Sequence, residues 1–207
     1  MSKTVFNRKL SQISLSGIFL YIALYVFATF FYNGGTNKNK SAIGFDWANN
    51  YWCELISPIG KNGQVNPAYP IAVAAAVVLF ITLSAFWIAV PTSLISNRRI
   101  ATLTVGLGIG SMIFAISMLS GVYHDLLISI AGALGVLAIF ILLYCLYKTE
   151  HRFIFYLGIF CILLCLVNNY VYYIGKFLDY LPIIQKISFL FFLSWFGIVL
   201  VKVKSKK

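Results

Sequence analysis

The sequence predicts an all-α, polytopic membrane protein: a single domain built as a six-transmembrane-helix bundle with a short extracytoplasmic amphipathic helix. Two observations predict it. Of 207 residues, 61% are hydrophobic and only 10% charged, with a mean hydropathy of +0.90, far from the composition of a soluble domain. The apolar residues are also gathered into six long stretches, with nearly every charge in the gaps between them. A bilayer core needs about 20 apolar residues per spanning helix, whereas strands rarely exceed about ten. Six runs of helical length therefore point to spans at 13–32, 71–90, 100–119, 126–147, 153–174 and 181–201.

The first span follows Lys3, Arg8 and Lys9, a pattern that also opens signal peptides. Its apolar stretch is longer than the usual signal core of about 7–15 residues. It ends in Phe30, Phe31, Tyr32 and Asn33 without a small-x-small cleavage pattern, so a retained first span is expected. The gap 33–70 is the single long loop. Asn33-Gly34-Gly35 opens it, and Asn62-Gly63 and Asn66-Pro67 provide turn chemistry near its end. Between them, Phe45–Ser57 reads as a short amphipathic helix. At about 100° per residue, Asp46, Asn49, Asn50, Cys53 and Ser57 share one face. Trp47, Tyr51 and Trp52 are residue types that favour the headgroup layer.

The later spans are joined by tight turns at 121–125 and 148–152, which force neighbouring helices to run antiparallel. Gly106 with Gly110, and Ala131 with Gly135, form small-xxx-small pairs expected to let helices pack closely. The spans are uninterrupted by proline. Asn168, Asn169, Tyr172 and Tyr173 lie near the end of the fifth span, and Gln185 and Lys186 near the start of the sixth. Polar groups at that depth are costly unless they pair or meet water.

Lysine and arginine set the orientation. Lys3, Arg8, Lys9, Arg98, Arg99, Lys148, Arg152 and the tail Lys202, Lys204, Lys206 and Lys207 fall on one side. The other side holds Lys38, Lys40, Lys61, Lys176 and Lys186. Both termini are therefore expected in the cytoplasm of a multi-pass plasma (bacterial inner) membrane protein. The acids Asp46, Glu54, Asp125 and Asp179 then face outward. The net charge of +11 is distributed over membrane-flanking turns and a tail. It is expected to meet anionic membrane lipids rather than nucleic acid.

His124-Asp125 sits at the outer end of the fourth span. Asp125 can complement the first helical turn there. Alternatively, His124 acts as a ligand or general base, with Asp125, Asp46 or Glu54 nearby, which makes His124 and Asp125 the catalytic candidates. No metal site or cofactor is expected, because a catalytic zinc commonly takes several histidines and the only other one, His151, lies on the opposite side. The four cysteines show no CxxC spacing, and Cys53 alone is in an outer loop, so lone thiols are expected.

The stretch 41–70 contains Gly44-Phe45-Asp46-Trp47-Ala48-Asn49-Asn50-Tyr51-Trp52-Cys53-Glu54-Leu55, followed by Lys61-Asn62-Gly63 and Asn66-Pro67. Together with His124-Asp125 and Leu181-Pro182-Ile183-Ile184-Gln185-Lys186, it resembles an uncharacterised bacterial six-span family known only as a domain of unknown function. That family is itself distantly similar to the Frag/DRAM/Sfk membrane proteins. The resemblance covers most of the chain, with only the first loop distinctive. It implies a six-helix bundle with a polar outer face and supplies no catalytic residue or substrate.

The expected function is non-enzymatic: an outward polar pocket of Asp46, Trp47, Asn50, Glu54, His124, Asp125, Asn169 and Lys186 engages a lipid headgroup, small molecule or membrane-protein partner. The alternative is an intramembrane enzyme acting on a lipid with His124 as base. A small transporter is a third reading, although such proteins often place charges at the midplane on broken helices.

Overall fold

The computed structural model describes residues 3–120, 122–149 and 151–205, with the side chains of Lys3, Thr4, Ser120, His124, Val203, Lys204 and Ser205 outside that description. Six α-helices carry the chain: α1 (Lys3–Thr29), α2 (Tyr69–Leu94), α3 (Arg98–Ser117), α4 (His124–Lys148), α5 (Arg152–Ile174) and α6 (Leu181–Ser205). Each contains a stretch long and apolar enough to cross a membrane. The protein is therefore all-α and multi-pass, as its hydropathy predicts. Among the described residues the extended elements are two isolated antiparallel bridges, Gly34 with Ile43 and Ile59 with Val65.

The helix ends differ from the apolar boundaries for local reasons. α1 starts ten residues before its predicted span, because Arg8 and Lys9 are good helix formers and hydropathy alone discards them. It stops at Thr29 rather than Tyr32. There Phe30, Phe31 and Tyr32 turn back onto the carbonyls of Phe27, Ala28 and Thr29, and Gly34 and Gly35 take positive φ. α2 extends past the predicted 71–90 span and runs through Pro91 in its final turn without interruption. Pro91 has no N–H to donate to the carbonyl four residues back. α3 is capped by Asn97, whose side chain accepts from Arg99 N and Ile100 N at 2.9 and 3.3 Å. At α4, Tyr123 occupies the capping position without a side-chain bond, and Asp125 lies in the first turn, where it suits the helix dipole.

The predicted helix over Phe45–Ser57 is shorter and tighter. Only Trp52–Ile56 is helical, as a five-residue 3-10 turn, while Asn49 N and Asn50 N turn back onto Asp46 O at 3.2 and 2.8 Å. Asp46 and Asn50 side chains hydrogen-bond this backbone, which competes with a continuous α-helix.

The structure groups into two compact units, with α1, α2, α5 and α6 each contributing to both. The first unit comprises the chain up to Phe19, Val77–Phe160 and the chain from Leu193. Its centre is aromatic: Phe86 meets Phe196 edge-on at 4.6 Å, and Trp195 meets Phe196 at 5.3 Å. The Trp195 indole donates to Ile154 O at 2.9 Å. Asn7 of α1 donates to Thr92 Oγ1 and Ser93 Oγ of α2, each at 3.0 Å, and Ser14 donates to Thr82 O. On the α3–α4 contact, Ser111 Oγ donates to Ala131 O at 2.7 Å. A Cβ at Gly135 would lie 3.0 Å from Ser111 Oγ, and one at Gly110 would lie 3.4 Å from Leu134. Gly106 faces open space, whereas Gly108 abuts the Trp87 ring so closely that a Cβ would clash. The close approach expected of Gly106 thus belongs to Gly108.

The second unit comprises Leu20–Ala76 and Cys161–Phe192. It contains the whole 33–68 loop. Tyr21, Tyr25, Ala28, Tyr32, Leu55, Ala68, Ala72 and Leu181 form much of its buried apolar surface.

Candidate functional site

The polar residues of the second unit converge on the backbone of the loop. Asn50 is fully buried. Its amide nitrogen donates to Gly35 O at 2.7 Å and to Glu54 Oε2, and its amide oxygen accepts from Asp46 N at 2.7 Å. One side chain thereby fixes three points along the loop. Asn66 does the same at the other end, donating to Ser57 O at 2.8 Å and Leu55 O at 3.2 Å while accepting from Ala68 N. Such buried amides are favourable only when fully bonded.

Glu54 is buried at 5% exposure. Its Oε2 takes the Asn50 amide, and its Oε1 lies 3.6 Å from Lys61 Nζ but receives no hydrogen bond. This carboxylate is the one incompletely satisfied polar group in the loop interior among the described residues. Lys61 is partly exposed, so solvent screens this pair, and its main effect is to offset the charge of the buried Glu54 carboxylate.

Two consecutive residues of α6 hold the loop from the helix side. Gln185 Oε1 accepts from Trp52 N at 2.9 Å. Lys186 Nζ donates to Asn50 O and, at 3.0 Å, to Pro182 O, and stands 5.7 Å from the Phe45 ring centroid. No carboxylate oxygen lies within 4.0 Å of Lys186 Nζ among the described residues. Backbone carbonyls and an aromatic face thus surround the ammonium where no carboxylate pairs with it directly. From α1, Tyr25 OH donates to Trp52 O at 2.8 Å and stacks on its ring at 4.8 Å, while the Trp52 indole donates to Tyr21 OH at 2.8 Å.

Asp46 lies at the loop's first turn. Its carboxylate accepts from Asn49 Nδ2 at 2.7 Å, and from Ala48 N and Asn49 N at 2.9 and 3.2 Å. The Asn49 side chain, with these backbone donors, holds its carboxyl below the usual aspartate range.

Of the residues singled out in the sequence, Asp46, Asn50, Glu54 and Lys186 are brought together in this network. Trp47 stays half exposed at its edge, 5.4 Å from Phe45 and 5.8 Å from Trp52. Asn169 is exposed and donates to Cys165 O of its own helix at 2.8 Å. Asp125 falls in the first unit, exposed. His124 opens α4, but its side chain lies outside the described residues. Tyr21, Tyr25, Asn66 and Lys61 belong to this network although their sequence context places Asn66 and Lys61 only as turn and flanking residues and does not single out the tyrosines. The signal for the tyrosines was present: spaced by four, they share one helix face at the loop-proximal end of α1. Among the described residues, no group of three or more His, Cys, Asp or Glu could hold a metal ion. Cys53, Cys145, Cys161 and Cys165 are free thiols. Compared with known proteins, the chain matches no family model, no curated protein and no solved structure.

Proposed function

We propose that this is a non-enzymatic membrane protein whose 33–68 loop forms the outward recognition element, receiving a lipid headgroup or small molecule that carries an N–H or O–H donor. Glu54 carries this reading. In an otherwise well-bonded loop interior, its Oε1 has no donor, and an incoming amine or hydroxyl supplies one. Lys61 at 3.6 Å balances the charge, so the site favours a ligand with an accompanying acceptor, as zwitterionic headgroups have. The positive-inside rule supports placing the loop outside a bacterial inner membrane, with both termini in the cytoplasm.

The test is native mass spectrometry of the full chain released gently from membranes, comparing wild type with Glu54→Gln. The glutamine variant keeps the shape and the Asn50 bond but weakens an ionic acceptor. Loss of a co-released ligand in Glu54→Gln, with the loop still protease-resistant, supports the reading. Identical retention, or no retained ligand in the wild type after incubation with zwitterionic lipid, rejects it.

A further inference from the structure

Two bulky residues are held in the left-handed backbone region, and both are aromatic: Tyr123 at φ 52° and Phe177 at φ 62°. Every other positive φ among the described residues belongs to glycine. Crowding of Cβ against the carbonyl disfavours this conformation for L residues. Glycine visits it freely, and asparagine or aspartate more readily than others. Both residues stand at the start of a helical segment. Tyr123 O accepts from Leu127 N at 2.9 Å as α4 begins, and Phe177 O accepts from Tyr180 N at 3.0 Å as the 3-10 turn Leu178–Tyr180 begins. Neither side chain makes a capping hydrogen bond. Asparagine or glycine would relieve the crowding. An aromatic ring does not, so local backbone energetics oppose the residue that is present.

The rings are not used inside the protein either, being 75% exposed at Tyr123 and 68% at Phe177. What the positions share is the membrane boundary. Tyr123 lies two residues before the span Asp125–Lys148, and Phe177 directly before the span Leu178–Lys202. Those spans have 24 and 25 residues. At about 1.5 Å per residue they exceed a hydrocarbon core of about 30 Å, which leaves the residues just ahead of them at headgroup depth. Exposed Asp125 and Lys176 beside them are suited to the same layer.

We propose that Tyr123 and Phe177 are membrane-interface anchors: the left-handed backbone turns each ring outward into the lipid headgroup layer, and the lipid surface is the partner that offsets the local strain. The inference is independent of the ligand assigned to Glu54. The test uses the full chain in lipid nanodiscs, with a trifluoromethyl-phenylalanine placed at position 123 or 177 in separate preparations. Fluorine line broadening is then compared between lipids carrying a nitroxide at the headgroup and a water-soluble paramagnetic complex. The expected result is stronger broadening from the headgroup nitroxide at both positions. Stronger broadening from the water-soluble complex, or protection from both probes as a covering protein would give, overturns it. A second measurement keeps the crowded backbone and removes the ring. Phe177→Leu and Tyr123→Leu are expected to lower the unfolding midpoint in nanodiscs, and unchanged midpoints overturn the proposal.

Discussion

Asn50 makes three side-chain hydrogen bonds from a fully buried position, to Gly35, Glu54 and Asp46. Asn169, an identical side chain, bonds only within its own helix at an exposed site. Their replacement by alanine is therefore expected to differ sharply. Asn50→Ala strands a buried carbonyl and N–H at about 1–3 kcal/mol per group, whereas Asn169→Ala stays within about 0.5 kcal/mol. Thermal unfolding in detergent, with limited proteolysis of the loop, separates the two. Equal midpoints would contradict the network. Asp46 gives a pH-dependent companion. Its folded carboxyl titrates below its ordinary value of about 3.9, so its contribution is present above that pH and lost as pH falls through the folded value. The midpoint of the wild type should converge on that of Asp46→Asn as pH drops below about 4, and a constant gap would refute this. The sequence showed that these residues are polar, and where along the chain they occur. It did not show that Lys186 would be met by the carbonyl of Asn50 rather than by an acid, because main-chain acceptors carry no residue-type signature.

At the scale of elements, the helices were legible because the period and length of apolar runs leave few alternatives. Their ends were not, since a charged turn such as the one at Arg8–Lys9 is helical without being apolar. The loop helix is shorter than its spacing predicts for a different reason. Amphipathic spacing across Phe45–Ser57 is real, but the Asp46 and Asn50 side chains bond the backbone locally and leave a short 3-10 turn at Trp52–Ile56. Small-residue spacing likewise located α3 packing without its register. Gly108→Ala should force a methyl into the Trp87 ring and cost about 1–3 kcal/mol by overpacking. Gly106→Ala, which faces open space, should be neutral or slightly stabilising. Thermal midpoints of the two variants decide it. A harmless Gly108→Ala would mean that the Trp87 contact is wrong.

At the scale of the whole molecule, charge distribution predicts an orientation that labelling can check directly. With native cysteines replaced, Lys38→Cys should react with an impermeant thiol reagent in intact cells and Ser96→Cys should not. The reverse pattern would invert the topology. The long loop is bound to its place by residues far along the chain: Gln185 reaches Trp52 across 133 positions, and Lys186 reaches Asn50 across 136. A ribosome adding roughly 5–20 residues per second emits the loop on the order of ten seconds before its two α6 partners exist. During that interval Trp52 N and Asn50 O depend on water or on insertion machinery for partners. The last helix therefore acts as a keystone, and chains stalled before Leu181 should expose a loop that proteases cut, while chains completed past Lys186 should not.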